Sequence, residues 1–248
     1  MTRWLAGLAL VALMGCSQEA EDKSPDDKPT AAATQAEEDV LPEDATPDAA
    51  QKYLTSLTNP PQAGPWHPRD DCAAEPGALE FREKLAAAVL TQDADALAAL
   101  SAKDIKLDFG GGGGIAELRK RLAAKDQFLW KALANLIPLG CDMNTEGGLT
   151  LPWYFAQDIP VDDPYVSMIV RGVDVPLLDA PKADAKVLAR LSWDVVELQS
   201  DPGVFAEVKA GGKKGYVAAG KLRALIDYRL LADKQSDGWK ITALVAGD

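Results

Sequence analysis

Residues 205–218 read FAEVKAGGKKGYVA, two short segments of alternating apolar and polar residues on either side of a glycine pair. A period of two is typical of β-strands that bury one face. The same period starts near Leu149 and continues to the end of the chain. It predicts strands over Leu149–Tyr154, Val166–Arg171, Asp194–Leu198, Phe205–Lys209, Lys214–Ala218, Tyr228–Asp233 and Trp239–Val245. Asp237-Gly238, between the last two segments, predicts a β-hairpin.

The first half of the chain has mainly helical spacing. A single strand is predicted over Ile105–Phe109, just before the glycine run Gly110–Gly114. Helices are predicted over Leu79–Leu90, from Gln92 to near Leu100, around Ile115–Leu122 and over Phe128–Ile137. We therefore expect an α+β fold, with a helical N-terminal half followed by a small all-β region and a closing β-hairpin.

The N-terminus has the features of an export signal. Arg3 precedes the apolar run Trp4–Met14, which is too short to span a membrane. Leu13-Met14-Gly15-Cys16 then resembles the lipobox of bacterial lipoproteins. The resemblance implies cleavage before Cys16, acylation of that cysteine with diacylglyceryl and palmitate-type chains, and lasting attachment to a membrane. Ser17, which stands where inner-membrane lipoproteins often have aspartate, favours the outer membrane, facing the periplasm.

The segment after this cysteine is acidic and almost free of apolar residues. Residues 17–50 hold eleven Asp and Glu against two Lys, so most of the formal net charge of −12 lies there. Such a segment cannot bury enough surface to offset its ordering entropy. We expect a disordered tether with a short helix over Ala50–Leu57. The chain has no basic stripe, which argues against nucleic acid binding.

The period-two region resembles a bacterial SH3-like domain. The matching segments are Val173–Leu177, Ala180-Pro181, Lys186–Leu191, Asp194–Leu198, Phe205–Lys209 and Gly215-Tyr216-Val217. The resemblance implies a small β-barrel that contacts peptidoglycan or a protein. Gly64-Pro65-Trp66 and the closing Trp239–Thr242 resemble a group of proteobacterial envelope proteins. A more distant resemblance, to the cone-shaped NTF2-like domains, rests on the Asp-x-x-Ala-Leu segment Asp93–Leu97 and the closing Gly-Trp-Lys-Ile of residues 238–241.

These patterns divide the chain into five regions. We expect a lipoprotein signal peptide over residues 1–15, an acidic disordered tether with a short helix over 16–62, and a mainly helical domain over 63–162. An SH3-like barrel over 163–225 and a C-terminal β-hairpin over 226–248 would follow.

Two cysteines remain once Cys16 is assigned to lipid. Cys72 and Cys141 are an even pair in an oxidising compartment, which predicts a disulfide between them. The bond would close a loop of about 70 residues and contribute about 4 kcal/mol in the chain-entropy model. Two buried free thiols are the alternative.

The candidate site residues are few. Trp66 and Trp153 lie beside prolines, and Tyr216 stands in the closing segment of the SH3-like resemblance. We take these three as a possible binding groove, with burial in a core as the alternative. His67, the only histidine, could pair with Cys72 as a thiol nucleophile or lie in a surface loop.

The glycine run and the adjacent aspartate pairs indicate structural roles more than ligand binding. Gly110–Gly114 precedes a helix and could form an anion nest, but it lacks the Gly-Lys-Ser/Thr ending of a phosphate loop. We expect a flexible loop there. Asp70-Asp71 and Asp162-Asp163 are adjacent pairs that would not converge on a cation. We expect no resident metal or cofactor.

The sequence therefore favours a non-catalytic, lipid-anchored envelope protein with an SH3-like binding module that contacts peptidoglycan or a periplasmic protein. A small-ligand pocket or enzyme of the NTF2-like type is the second hypothesis, and it requires a deep apolar cavity with convergent polar groups. An envelope hydrolase that uses Cys72 is the third hypothesis.

Overall fold

The end of the chain completes a sheet that begins near residue 101. In the computed structural model, which describes Lys52, Leu54 and residues 63–247, twelve strands lie in two sheets. The helices are α1 (Ala78–Leu90), α2 (Ala94–Ala99), α3 (Gly114–Leu122) and α4 (Phe128–Leu136). The strands are β1 (Ser101–Lys106), β2 (Asp142–Met143), β3 (Leu149–Leu151), β4 (Ser167–Val170), β5 (Val175–Leu178), β6 (Val187–Leu191), β7 (Val195–Leu198), β8 (Phe205–Ala210), β9 (Lys213–Ala218), β10 (Leu222–Ala224), β11 (Arg229–Gln235) and β12 (Gly238–Val245).

The first sheet has the strand order β1-β12-β11-β3-β2. Its β1 and β12 are parallel, with Ser101 opposite Ile241, and the other pairs are antiparallel. Gly238 has a φ of 113° at the start of β12, a conformation that glycine adopts without steric cost and that the tight β11–β12 turn requires. The C-terminal hairpin is thus the centre of this sheet.

The four helices bury one face each against this sheet. In α1, Phe81, Leu85 and Val89 recur at four-residue spacing, and all three are buried. They meet buried side chains of α4 and of the sheet, including Leu133 and Leu230, in the first hydrophobic core. Leu54, which has helical backbone, is 3% exposed and belongs to the same core. The apolar face of each helix is therefore what holds it on the sheet.

The second sheet is entirely antiparallel, with the order β10-β4-β7-β8-β9-β5-β6. Residues 205–218 contain β8 and β9, which pair from Phe205 opposite Ala218 to Ala210 opposite Lys213. Their buried members, such as Val208 and Val217, belong to a second core on one face of this sheet.

A third core joins the two sheets. It combines Leu139 and Trp153, which neighbour the first sheet, with Ile169 of β4 and Trp193, which connects β6 to β7. Arg223 of β10 is 7% exposed, and its Nε donates a hydrogen bond of 2.9 Å to the Tyr154 hydroxyl. Burial raises the pKa of Tyr154, so this hydroxyl stays protonated over the physiological range. All described residues belong to one compact unit.

This architecture corrects the expected α+β fold, with its helical N-terminal half, SH3-like barrel and closing hairpin. The described chain is mostly β, and residues 63–162, which were expected to be mainly helical, also supply β1, β2 and β3. The seven strands of the second sheet form an open sheet, because β6 and β10 stand at opposite edges and do not pair. The barrel was implied by the resemblance to SH3-like domains, and it was wrong because matching segments identify strands without identifying their neighbours.

The N-terminal features of the sequence, including Cys16, lie outside the described residues. None of the helices in the described part of the chain has the length and apolar content that crossing a bilayer requires.

The central position of β11 can be tested by truncating one side chain. Leu230→Ala should lower the free energy of unfolding by about 2–5 kcal/mol, because Leu230 is fully buried in the first core and its loss leaves a cavity. Leu231→Ala, at the half-buried neighbouring position, is the control and should cost clearly less. Denaturant titration measures both, and equal losses would contradict this placement of the hairpin.

Candidate functional site

Cys72 and Cys141 form a disulfide in this structure. Both residues are fully buried, and their Cα atoms are 5.6 Å apart, within the usual range for a disulfide. The bond joins the short 3-10 helix Asp71–Ala74 to the segment before β2. The backbone supports this connection, since the amides of Asp71 and Cys72 both donate to the Cys141 carbonyl, at 3.0 and 3.3 Å. The bond thus holds this 3-10 helix against the first sheet.

A buried ion pair lies against this disulfide. Arg82 of α1 is 1% exposed, and its Nη1 donates to Oδ1 of Asp70. The same carboxylate oxygen is 3.5 Å from Sγ of Cys72 and 3.4 Å from Sγ of Cys141. Nε and Nη2 of Arg82 are buried and have no hydrogen-bond partner among the described residues.

The ion pair also limits what this cluster can bind. Asp70, Cys72 and Cys141 bring three potential ligand atoms within 4.8 Å of one another. Cysteine binds metals as a thiolate, so the two sulfurs become available only if the disulfide is reduced. The Arg82 guanidinium next to Asp70 would then repel a cation. In the oxidised form the cluster is a structural element.

The predicted groove residues are only partly brought together. The rings of Trp66 and Trp153 are 6.4 Å apart, and the guanidinium of Arg69 lies 5.0 Å from the Trp153 ring. Trp153 is 4% exposed and its Nε1 donates to Asp71 at 2.8 Å, so its ring is covered in this structure. Tyr216 lies on β9 of the second sheet, opposite Leu178 and Glu207. No contact between Tyr216 and the two tryptophans is seen among the described residues.

The residues considered for hydrolysis have other contacts. Nδ1 of His67 donates to the carbonyl of Gly64 at 2.8 Å, which leaves Nε2 as its acceptor when the ring is neutral. Cys72 is fully buried and bonded to Cys141, so it has no thiol to activate while the bond is intact.

The glycine run is held by a neighbouring carboxylate. Oδ1 of Asp108 accepts hydrogen bonds from the amides of Gly110 and Gly112, at 2.9 and 2.8 Å. Arg121 of α3 donates to Oδ2 of Asp108 and, at 2.8 Å, to the carbonyl of Leu107. Arg121, followed by the Gly112 amide, holds the pKa of Asp108 below its usual range. Two of the amides that an anion nest would need are therefore already bound.

Two phenylalanines are more exposed than aromatic side chains usually are. Phe109 is 59% exposed and Phe128 is 58% exposed. Phe109 lies 5.5 Å from the guanidinium of Arg229, and Phe128 packs edge-on against Tyr228, with ring centroids 5.8 Å apart. Because Tyr228 and Arg229 are consecutive, both phenylalanines lie at the same end of β11. We call Phe109, Phe128 and Tyr228 the aromatic surface.

The aromatic surface has a rigid base. Arg229 is 8% exposed, lies 4.4 Å from the ring of Phe155 and donates to the carbonyl of Gly247 at 2.6 Å. Its guanidinium is therefore fixed beneath Phe109, where it forms a cation–π contact. Sequence reasoning missed this surface, because Phe109 and Phe128 fit a predicted strand and a predicted helix. The glycines after Phe109 were the available signal, since they leave its ring without a covering neighbour.

A cleft lies on another side of the first sheet. Its volume is about 460 Å³, and it is bounded by α1, α2 and the β11–β12 turn. Phe81 and Trp239 are buried in its floor, and Nε1 of Trp239 donates to the Pro76 carbonyl at 3.1 Å. Lys240 on its rim is bound to Asp237 at 3.1 Å and to the Ala99 carbonyl at 2.8 Å. The cleft is a surface feature, unlike the deep cavity that the small-ligand hypothesis requires.

The buried ion pair generates a stability prediction. Asp70→Asn should lower the free energy of unfolding by about 3–5 kcal/mol, because it leaves the Arg82 charge buried without an anionic partner. The double variant Asp70→Asn with Arg82→Met should recover most of this loss, because the unpaired charge is then gone. Urea titration of both variants measures the difference.

The matched control is Asp95→Asn. Asp95 pairs with Arg119 but its side chain is 83% exposed, so the substitution should cost less than about 1 kcal/mol. A loss at Asp70 no larger than the loss at Asp95 would mean that the buried pair contributes nothing beyond a surface pair.

Comparisons of the chain with protein-family models, with curated proteins and with solved structures found no match in any of the three. We therefore infer function from the residues and their contacts.

Proposed function

We propose that this protein is a non-catalytic, lipid-anchored binding protein of the bacterial cell envelope, which contacts peptidoglycan or a periplasmic protein. Lipid on Cys16 would attach it to a membrane, and the acidic segment of residues 17–50 would separate the folded part from the bilayer. We place the anchor in the outer membrane, facing the periplasm.

This proposal rests on the different roles of the three cysteines. Cys72 and Cys141 are bonded to each other and fully buried, which leaves Cys16 as the odd cysteine. Disulfides persist in oxidising compartments and are rare in the cytosol, which supports export. The odd cysteine stands directly after an apolar run and Leu-Met-Gly, where lipoprotein processing would use it.

A binding role rather than catalysis is supported by the contacts of the reactive residues. The disulfide occupies Cys72, and the Gly64 carbonyl fixes one ring nitrogen of His67. No metal or cofactor is invoked in this proposal, and the function would depend on surface recognition alone.

The aromatic surface supports contact with a large partner. Exposed aromatic rings on a rigid base are typical of protein-binding and ligand-binding faces, because they offer apolar area at a small cost in conformational entropy. Phe109 and Phe128 provide such area, and Arg229 fixes the geometry beneath Phe109. We therefore assign partner contact to this end of the first sheet.

The anchor is tested by mass spectrometry of the protein isolated from membranes without reducing agent. The mature chain should begin at Cys16 and carry the mass of a diacylglyceryl group and an amide-linked acyl chain. Reduction should add the mass of two hydrogens, as expected for one disulfide between Cys72 and Cys141. An uncleaved N-terminus or an unmodified Cys16 would refute the anchor.

Partner contact is tested by sedimentation with purified peptidoglycan sacculi. The wild-type chain should pellet with the sacculi, and Phe109→Ser with Phe128→Ser should reduce the pelleted fraction by about tenfold, because the aromatic contact area is lost. The control is Val204→Ser, which removes an apolar side chain that is 83% exposed in the loop before β8.

The outcomes separate the two partner classes. Sedimentation that the double variant loses and the control keeps supports contact with peptidoglycan through the aromatic surface. If the wild type stays in solution, peptidoglycan is excluded and a protein partner remains. Pelleting that is unchanged in the double variant refutes the aromatic surface as the contact.

A further inference from the structure

The cleft between α1, α2 and the β11–β12 turn has an apolar interior. Its floor is rigid, because Phe81 and Trp239 are buried and Nε1 of Trp239 is held by its hydrogen bond to the Pro76 carbonyl. The other uncharged residues of the lining are small or apolar, and they are Pro76, Gly77, Ala96, Ala99, Leu100 and Gly238. The cleft therefore offers a preformed place for an apolar group.

The rim of the cleft has one positive charge that no carboxylate balances. Lys84 pairs with Glu80 at 2.7 Å, and Lys240 pairs with Asp237 at 3.1 Å. Lys234 is the third lysine of the lining, and it has no carboxylate partner among the described residues. With three lysines and two carboxylates, the lining has a formal net charge of +1. This charge favours an anionic ligand at Lys234.

The unbalanced ammonium lies beside the apolar floor. Lys234 is directly opposite Trp239 in the pairing of β11 with β12, so the two side chains leave the same face of the sheet. Nζ of Lys234 is 5.9 Å from the centre of the Trp239 ring. A ligand that contacts both must therefore carry its anionic group next to its apolar group.

We propose that this cleft binds the C-terminal residue of a partner protein. The terminal carboxylate would pair with Lys234, and an apolar last side chain would lie over Phe81 and Trp239. A C-terminal residue carries its carboxylate and its side chain on the same Cα, which matches the closeness of the ammonium and the floor. The cleft shares no residue with the aromatic surface, and its binding does not depend on the lipid anchor.

The experiment uses the full chain and the peptide GSSF, which carries a fluorophore on its N-terminus and a free C-terminal carboxylate. Fluorescence anisotropy should show saturable binding. The same peptide with a C-terminal amide should bind about fivefold more weakly, because the amide has no charge for Lys234. The peptide GSSS with a free carboxylate should bind at least about tenfold more weakly, because it has no apolar side chain to bury.

The position of the carboxylate is tested on the protein side. Lys234→Gln should remove the difference between the acid and the amide of GSSF, and it should keep the preference for GSSF over GSSS. The control is Lys213→Gln, which changes an exposed lysine of β9 in the second sheet and should leave both differences unchanged.

The position of the apolar side chain is tested by filling the cleft. Ala99 is exposed at the end of α2 and belongs to the lining, so Ala99→Phe should place a ring in the cleft without disturbing the core. This variant should lose binding of both the acid and the amide, and its thermal unfolding should remain that of the wild type.

Four results would overturn the proposal. They are no saturable binding of GSSF, equal binding of its acid and its amide, and an acid–amide difference that Lys234→Gln retains. The fourth is tighter binding of the amidated peptide GDFS than of GSSF, which would assign the cleft to an internal acidic segment.

Discussion

The parallel pairing of β1 with β12 is the constraint on which the rest of the structure depends. It brings Ser101 opposite Ile241, so the sheet that supports all four helices cannot form from the first half of the chain alone. The same sheet places Leu230 opposite Leu151. The chain therefore leaves the first sheet after β3 and returns to it at β11, which pairs with β3. The second sheet is formed by the residues between these two strands.

The disulfide and the ion pair stabilise another part of the fold, the segment that precedes α1. Cys72 is tied to Cys141 just before β2, and Asp70 is tied to Arg82 in the middle of α1. The segment that holds Asp70 and Cys72 is thus connected to the edge of the first sheet and to α1. Two donors of Arg82 have no protein partner among the described residues.

Local structure was predictable from the sequence to a useful degree. A helix was expected to start at Gln92, and it starts two residues later, where the Asp93 carboxylate accepts from the amides of Asp95 and Ala96 at the N-terminus of α2. The strands around residues 205–218 were also expected, because their alternation is long and regular. Each of these features is decided within a few residues, so the local pattern contains the information.

Long-range features were not predictable in the same way. The return of Trp239–Val245 to β1 depends on contacts across about 140 residues, and no local pattern encodes the neighbour of a strand. The exposed rings of Phe109 and Phe128 were missed for the same reason. The exposure of a side chain depends on which other residues pack against it in the fold. Its hydrophobicity indicates only that its burial would be favourable.

The parallel pairing also sets the order in which the polypeptide can mature. A chain that is made, and that would be exported, from its N-terminus presents Ser101–Lys106 well before Gly238–Val245 is available. The helices on the first sheet must wait for those last residues, whereas the second sheet is complete once Ala224 has emerged. Pairing of such high contact order is slow, so the first sheet would form after the second sheet is complete.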